Sequence, residues 1–166
     1  MRRRVDAVIE IAELAPAQRA VIAFVFARLG ERSRQQRFLA VRPRLGEREL
    51  ERLARVDHWH REALVAWAPA PRRPVAVARY ARGAEFDRAE LAVVVADEWQ
   101  RLGVGRALVR ALASRALAAG IRRFSFTALA GNRGALALAG ELGVLRHVRT
   151  SAGVTELVVE LAPAVL

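Results

Sequence analysis

The sequence predicts an α/β (α+β) fold: a single domain on a mixed, mostly antiparallel sheet of six to seven strands flanked by helices. Three observations lead there. An apolar strand ending at Ala96 runs through a glycine-spaced loop, Gln100-Arg101-Leu102-Gly103-Val104-Gly105, into a long alanine- and leucine-rich helix. Before it, two strand-like stretches, Glu62 to Ala68 and Pro74 to Ala81, flank the Pro- and Arg-rich turn Pro69 to Arg73, which reads as a hairpin. After it come another strand, another helix and a closing hairpin. No linker or repeat divides residues 1–166, so they form one domain.

In chain order, Arg4 to Leu14 opens with Ala7, Ile9 and Ile11 on one face and Asp6 and Glu10 on the other, the period of a first strand. Pro16 suits the first turn of a helix and Gly30 its close. Between them Val21, Ile22, Val25 and Leu29 recur at helical spacing. Glu31 to Phe38 and Leu45 to Val56 follow as short helices. After the hairpin, Asp87 to Val95 is the third strand of that group. The helix from Val104 to Ala119 stops at Gly120, a residue suited to the left-handed position past a helix end. Arg122 to Ala128 alternates Phe124 and Phe126 with Ser125 and Thr127, a two-faced strand. Asn132 opens a helix that ends at Leu142-Gly143. Leu145 to Thr150 and Val154 to Leu161 close the chain around Ser151-Ala152-Gly153.

Strand, glycine loop and helix together make a phosphate site. The first amides of a helix lack internal partners, and the helix dipole favours an anion there. Two glycines let the backbone come close, and Arg101 and Arg106 add charge. A P-loop would need Gly-Lys-Ser/Thr, and the chain has no lysine. A dinucleotide loop would need a glycine where Leu108 stands. The loop instead resembles the Gln/Arg-x-x-Gly-x-Gly/Ala signature of the GNAT superfamily of N-acetyltransferases. The context agrees: Glu90 ten positions before Gln100, the helix after the loop, the strand from Arg122, and the helix from Asn132. The segments SRQQRF, RLGERELERLARVDHWHREALVA, PVAVARYARG and AELAVVVADEWQRLGVG are similar to the GNAT domains of bacterial Pat-type protein lysine acetyltransferases. That similarity covers the chain from about Leu29 to Val144.

The resemblance implies acetyl-CoA as cosubstrate and a primary amine, on a protein lysine or a small molecule, as acceptor. It implies that Glu90 is the general base. It also implies that the backbone of Val93, Val94 and Val95 pairs with the pantetheine arm. The amides of Gln100, Arg101, Leu102, Gly103, Val104, Gly105, Arg106 and Ala107 would hold the pyrophosphate. Asn132 would either bond the pantetheine or simply cap its helix. Glu90 shares a strand face with Ala92 and Val94, surroundings that would raise a carboxyl pKa. Against the family pattern, the position of a tyrosine that protonates the leaving thiolate is Ala139, and the one tyrosine is Tyr80. Water, Ser125 or Thr127 could take that part. The missing tyrosine also leaves open an acyl-CoA-binding sensor without turnover. GNAT domains often dimerise, so a homodimer is compatible, though no stripe marks an interface.

Composition narrows the rest. With no cysteine, disulfides, thiolate metal sites and an acyl-cysteine intermediate are excluded. His58 and His60 beside Asp57 suggest a metal at first sight, but no third ligand cluster follows in sequence. The expectation is a turn with surface imidazoles and no metal. The net charge of +11 comes from 28 arginines spread along the chain. With few aromatics, no base-stacking platform forms, so a specific nucleic-acid partner is not expected. The longest wholly apolar run, Ala20 to Ala27, is too short to span a bilayer. A cytoplasmic protein without a membrane partner is expected.

Overall fold

A computed structural model describes residues 9–39 and 44–163. The elements are β1 (Glu10–Glu13), α1 (Arg19–Ala27), α2 (Glu31–Phe38), α3 (Glu47–Leu53), β2 (Arg61–Pro69), β3 (Arg72–Arg82) and β4 (Arg88–Val95). A 3-10 turn (Asp97–Trp99) then leads to α4 (Val104–Ala118), β5 (Arg123–Leu129), α5 (Arg133–Leu142), β6 (Gly143–Ser151) and β7 (Val154–Leu161). The strands form one seven-stranded sheet in the order β1-β2-β3-β4-β5-β7-β6. Every neighbouring pair is antiparallel except β4 and β5.

The sheet is covered on both faces at β2 and β3. On one face Leu108, Val109 and Leu112 of α4 pack on Leu64, Ala78, Tyr80, Leu91 and Phe124. On the other, Ile22 and Val25 of α1 and Leu50 and Leu53 of α3 pack on Ala63, Val65 and Val77. Burial on both sides explains why β2 reads as an almost unbroken apolar run. The α1–α3 layer reaches β5 only through α2 and leaves β7 and β6 largely uncovered. Arg123, Ser125, Thr127, Glu156, Val158 and Glu160 line an open trough there.

Several boundaries move for local reasons. The start of the expected first strand, Arg4 to Val8 with Asp6 and Ala7, lies outside the described residues; Ile9 and Ile11 pack on the α4-side core. Pro16 sits ahead of α1, where Ala17 turns the chain with φ 65° and α1 begins at Arg19. Gly30 does not end a helix in the left-handed region: its φ is −69° and it precedes α2. Its lack of a side chain matters for space, because a Cβ would meet Asp97 Oδ2 at 2.6 Å. Gly120 takes φ 82° beyond α4, as expected. Among the described residues, no helix is long and apolar enough to cross a membrane.

Candidate active site

β4 and β5 are parallel partners only over Arg88–Glu90 and Arg123–Ser125. Beyond Glu90 the strands part. The β5-facing backbone edge of Leu91 to Val95 is therefore without a strand partner among the described residues. Parting occurs because β5 is held along its whole length by β7, from Arg123 opposite Glu160 to Leu129 opposite Val154, while β4 stays with β3 as far as Val95. A free strand edge inside a sheet is a place for an extended ligand to add hydrogen bonds.

The glycine loop lies at the end of that edge. Arg101 and Gly103 have φ of 58° and 88°, and this reversal swings the backbone into α4. The N–H groups of Leu102 to Arg106 have no hydrogen-bond partner among the described residues; the first bond into the helix is Ala107 N–H to Gly103 O at 3.0 Å. Five adjacent amides at a helix N-terminus form an anion cradle. The two glycines act differently. Gly103 supplies the positive φ and has open space around it, whereas a Cβ at Gly105 would come within 3.3 Å of Val95 Cγ2. Gly105 therefore sets how closely α4 meets β4. Arg101 makes no ion pair with a described residue. Arg106 is held by Glu141 of α5 at 3.0 Å, so its charge is partly spent.

Gln100 ties the loop to α2. Its amide nitrogen lies 3.0 Å from Val95 O, 3.1 Å from Ser33 Oγ and 3.2 Å from Asp97 Oδ1. Asp97 in turn accepts the Gly30 N–H at 3.0 Å, and Arg28 pairs with Glu98. The loop's position is thus set from both sides of α2's start. Sequence spacing alone does not show this.

Glu90 is exposed, in register with Ser125 of β5 and Ala81 of β3. It lies at the head of the open trough, whose volume is about 760 Å³. Ala92 and Val94 follow on its face, as expected. The face is not purely apolar, however. Arg79, opposite Ala92 in register, and Arg37 of α2 both feel the Glu90 carboxylate, which favours their charged forms. Sequence pattern alone does not mark Arg37 and Arg79 as site residues. The available signal is Arg79 itself, a charge on the face of Val77 within the apolar middle of β3.

Ala139 is fully buried in the core against α4, so α5 offers no hydroxyl there. Tyr80 does not replace one. It lies on the α4 face, opposite to Glu90's, and its hydroxyl donates to Trp59 O at 3.3 Å. Burial, reinforced by Glu62, pushes its pKa up to about 12. Asn132 caps α5, accepting the Ala135 N–H at 3.2 Å.

The imidazoles differ from expectation. His60 is exposed beside Asp57, but His58, with φ 58°, points its Nδ1 at the buried Glu62 at 2.8 Å. Glu13 completes a group of three candidate metal ligands that sequence spacing does not reveal. Arg115 of α4 pairs with both carboxylates, so one of the cluster's two negative charges is already matched. Asp57 organises the turn that follows it, accepting the Trp59, His60 and Arg61 N–H groups. Burial raises its pKa, but the N–H groups of Arg61, Trp59 and His60 outweigh that and bring it down to about 2. Asp57→Ala is expected to cost about 1 kcal/mol at pH 7, a small figure because the side chain is half exposed to water. The ionised, stabilising form is complete above the ordinary value of 3.8 and is lost as pH falls through about 2. Urea unfolding of both proteins should therefore show their difference shrinking over that acid interval.

Comparison with known proteins agrees with this geometry. The family model described as acetyltransferase (GNAT) matches residues 31–144. The GNAT domain of PAT from S. lividans superposes with a TM-score of 0.84 at 25% identity, covering 97% of this chain and 95% of that one. A cAMP-binding acyltransferase from Mycobacterium smegmatis aligns at TM-score 0.64 and 25% identity over 98% of this chain, which spans 47% of that longer protein. Spermidine N-acetyltransferase from Vibrio cholerae, in complex with CoA and spermine, shares the fold at TM-score 0.71 and 14% identity, covering 94% of this chain and 97% of that one. No curated protein matches the chain by sequence.

Proposed function

Because the chain belongs to the acetyltransferase (GNAT) family, we propose that it transfers the acetyl group of acetyl-CoA directly to a primary amine, on a protein lysine or a small molecule. The observation that carries this reading is the juxtaposition of five amides, Leu102 to Arg106, with an edge of β4, both without partners among the described residues. The amides suit a pyrophosphate, the edge at Val93 to Val95 suits the amide-bearing pantetheine arm, and Glu90 stands where that edge begins. The thioester supplies an activated acyl carbon.

An ordinary lysine amine has a pKa of about 10.4, so on the order of one in a few thousand is neutral at pH 7. Glu90 accepts the proton that the attacking nitrogen loses, directly or through water. The new C–N bond forms as the C–S bond breaks, and CoA leaves as thiolate. Near a thiol pKa of about 8.5, that thiolate is a tolerable leaving group. Its proton comes from water, Ser125 or Thr127, since neither Ala139 nor Tyr80 supplies one on this face.

Calorimetric titration with acetyl-CoA, with desulfo-CoA and ATP as controls, tests the reading. Saturable acetyl-CoA binding with ATP clearly weaker is expected. Gly103→Val forces a β-branched residue to φ 88° and should weaken that binding about tenfold or more. No binding at millimolar acetyl-CoA would end the assignment. The buried Ala139 favours a second reading, an acyl-CoA sensor without turnover. Acetyl-CoA binding with no CoA release across a wide amine panel would select it.

A further inference from the structure

A guanidinium drawn into apolar surroundings needs an anionic partner. Arg37 of α2 and Arg79 of β3 have carboxylates in the neighbourhood but form no ion pair among the described residues. They line a cavity below α1 whose other walls include Phe26, Phe38, Ala92 and Val94. Neither makes a hydrogen bond or ion pair with a described residue. Arg37 lies over the Phe38 ring, 4.7 Å from its centroid, a contact that uses the face of the guanidinium and leaves its N–H rim free. Burial pulls Arg37 down to about 10, and repulsion from Arg79 adds to the fall. Burial likewise lowers Arg79, with Arg52 repelling it. Glu90, two positions back from Ala92 on the same face of β4, opposes both shifts, and Glu49 of α3 opposes that of Arg37, without an ion pair to either arginine. Both arginines remain charged at neutral pH.

The cavity measures about 30 Å³, room for a group of one or two water molecules' size. A carboxylate has that size, and two guanidinium rims match its oxygens. Arg79 stands opposite Ala92, and Glu90 is two residues back along the same strand face, about 7 Å away at strand spacing. An anion held at the arginines thus lies one short molecule from the proposed base.

We propose that Arg37 and Arg79 bind the carboxylate of the acceptor, and that the amine this protein acetylates belongs to a free amino acid. The proposal rests on the acetyltransferase reading above and narrows its acceptor. A lysine within a protein carries no carboxylate a few ångströms from its amine, and a polyamine carries none at all.

The test uses the full chain with acetyl-CoA and the twenty free amino acids, the carboxamide of each, spermidine and a blocked lysine peptide. CoA release and product mass are measured, and thermal shift reports binding without turnover. At least one amino acid should be acetylated, or should raise Tm, with a preference of about 10–100-fold over its carboxamide. Arg79→Gln should raise the KM for that amino acid by about the same factor while barely changing the rate with the carboxamide; Arg79→Lys should restore part of the loss. Equal use of acid and carboxamide, or exclusive use of spermidine or the peptide, overturns the proposal. So does acetyl-CoA binding with no response to any amino acid. If Arg79→Gln instead weakens succinyl-CoA but not acetyl-CoA, the arginines hold an acyl-chain carboxylate and the acceptor assignment fails. The comparison of acid with carboxamide needs no variant, so it stands even if Arg79→Gln does not fold. Failure to bind acetyl-CoA is a separate result, which removes the acetyltransferase reading itself.

Discussion

Replacing Glu90 with glutamine is expected to lower kcat by about 10²–10⁴-fold and to leave the Kd for acetyl-CoA unchanged. The substitution keeps size and polarity and removes only the proton acceptor. Glu90 is exposed at the head of the trough and forms no ion pair among the described residues, so folding depends little on its charge. Its backbone stays in register with Ser125 and Ala81, and the amides of the glycine loop are untouched. The pH dependence separates this role from a structural one. Without a base, the residual rate should follow the neutral fraction of the acceptor, rising about tenfold per pH unit until the amine titrates. With Glu90 present the profile should be flatter. Stopped-time assays of CoA release across pH 6–9, roughly the range between carboxylate and amine titration, give both numbers. Unchanged turnover in Glu90→Gln would remove Glu90 from the mechanism and leave the nucleotide-binding half of the site standing.

Gly143→Ala is expected to destabilise the domain by about 3 kcal/mol. A Cβ there would stand 2.0 Å from Glu160 O and 2.8 Å from Ala162 N. Both are backbone atoms of β7 and its continuation, so no rotamer relieves the clash. Gly143 pairs with Leu161, and Ala162 N–H donates to Leu142 O at 3.0 Å. Relief would require moving the whole β6–β7 junction, on which the trough's Glu156 and Glu160 depend. The expected loss in Tm is roughly 6–12 °C for a domain of this size. Gly140→Ala is the control on the neighbouring helix. It has nothing within 4 Å of the new methyl and should stabilise by about 0.5–1 kcal/mol through helix propensity. Denaturant midpoints of the two variants moving in the same direction would contradict the steric account.

The sequence by itself determined the order of the elements, the mixed sheet and the acetyltransferase family. These follow from signals carried within a few residues: alternation in β5, helical spacing in α1, a glycine past α4, and a loop whose amides must point outward because a helix begins there. It also placed Glu90 and the loop on adjacent segments of one strand–loop–helix unit. Only the tertiary structure decided what those groups meet. The parting of β4 from β5 depends on β7 holding β5 along its length, a contact between residues far apart in sequence, such as Arg123 and Glu160. Gly105 and Gly30 read as phosphate and helix-end glycines in sequence, but neighbours brought from elsewhere, Val95 and Asp97, give them their roles. His58 meets Glu62 and Glu13, and Arg115 meets both carboxylates, only after β1, β2 and α4 assemble. Arg37 and Arg79 lie on different elements and become a pair only when α2 packs over β4 beside β3. Local pattern reports a residue's own backbone and face. A charge's partner, or the lack of one, is a property of the packed molecule.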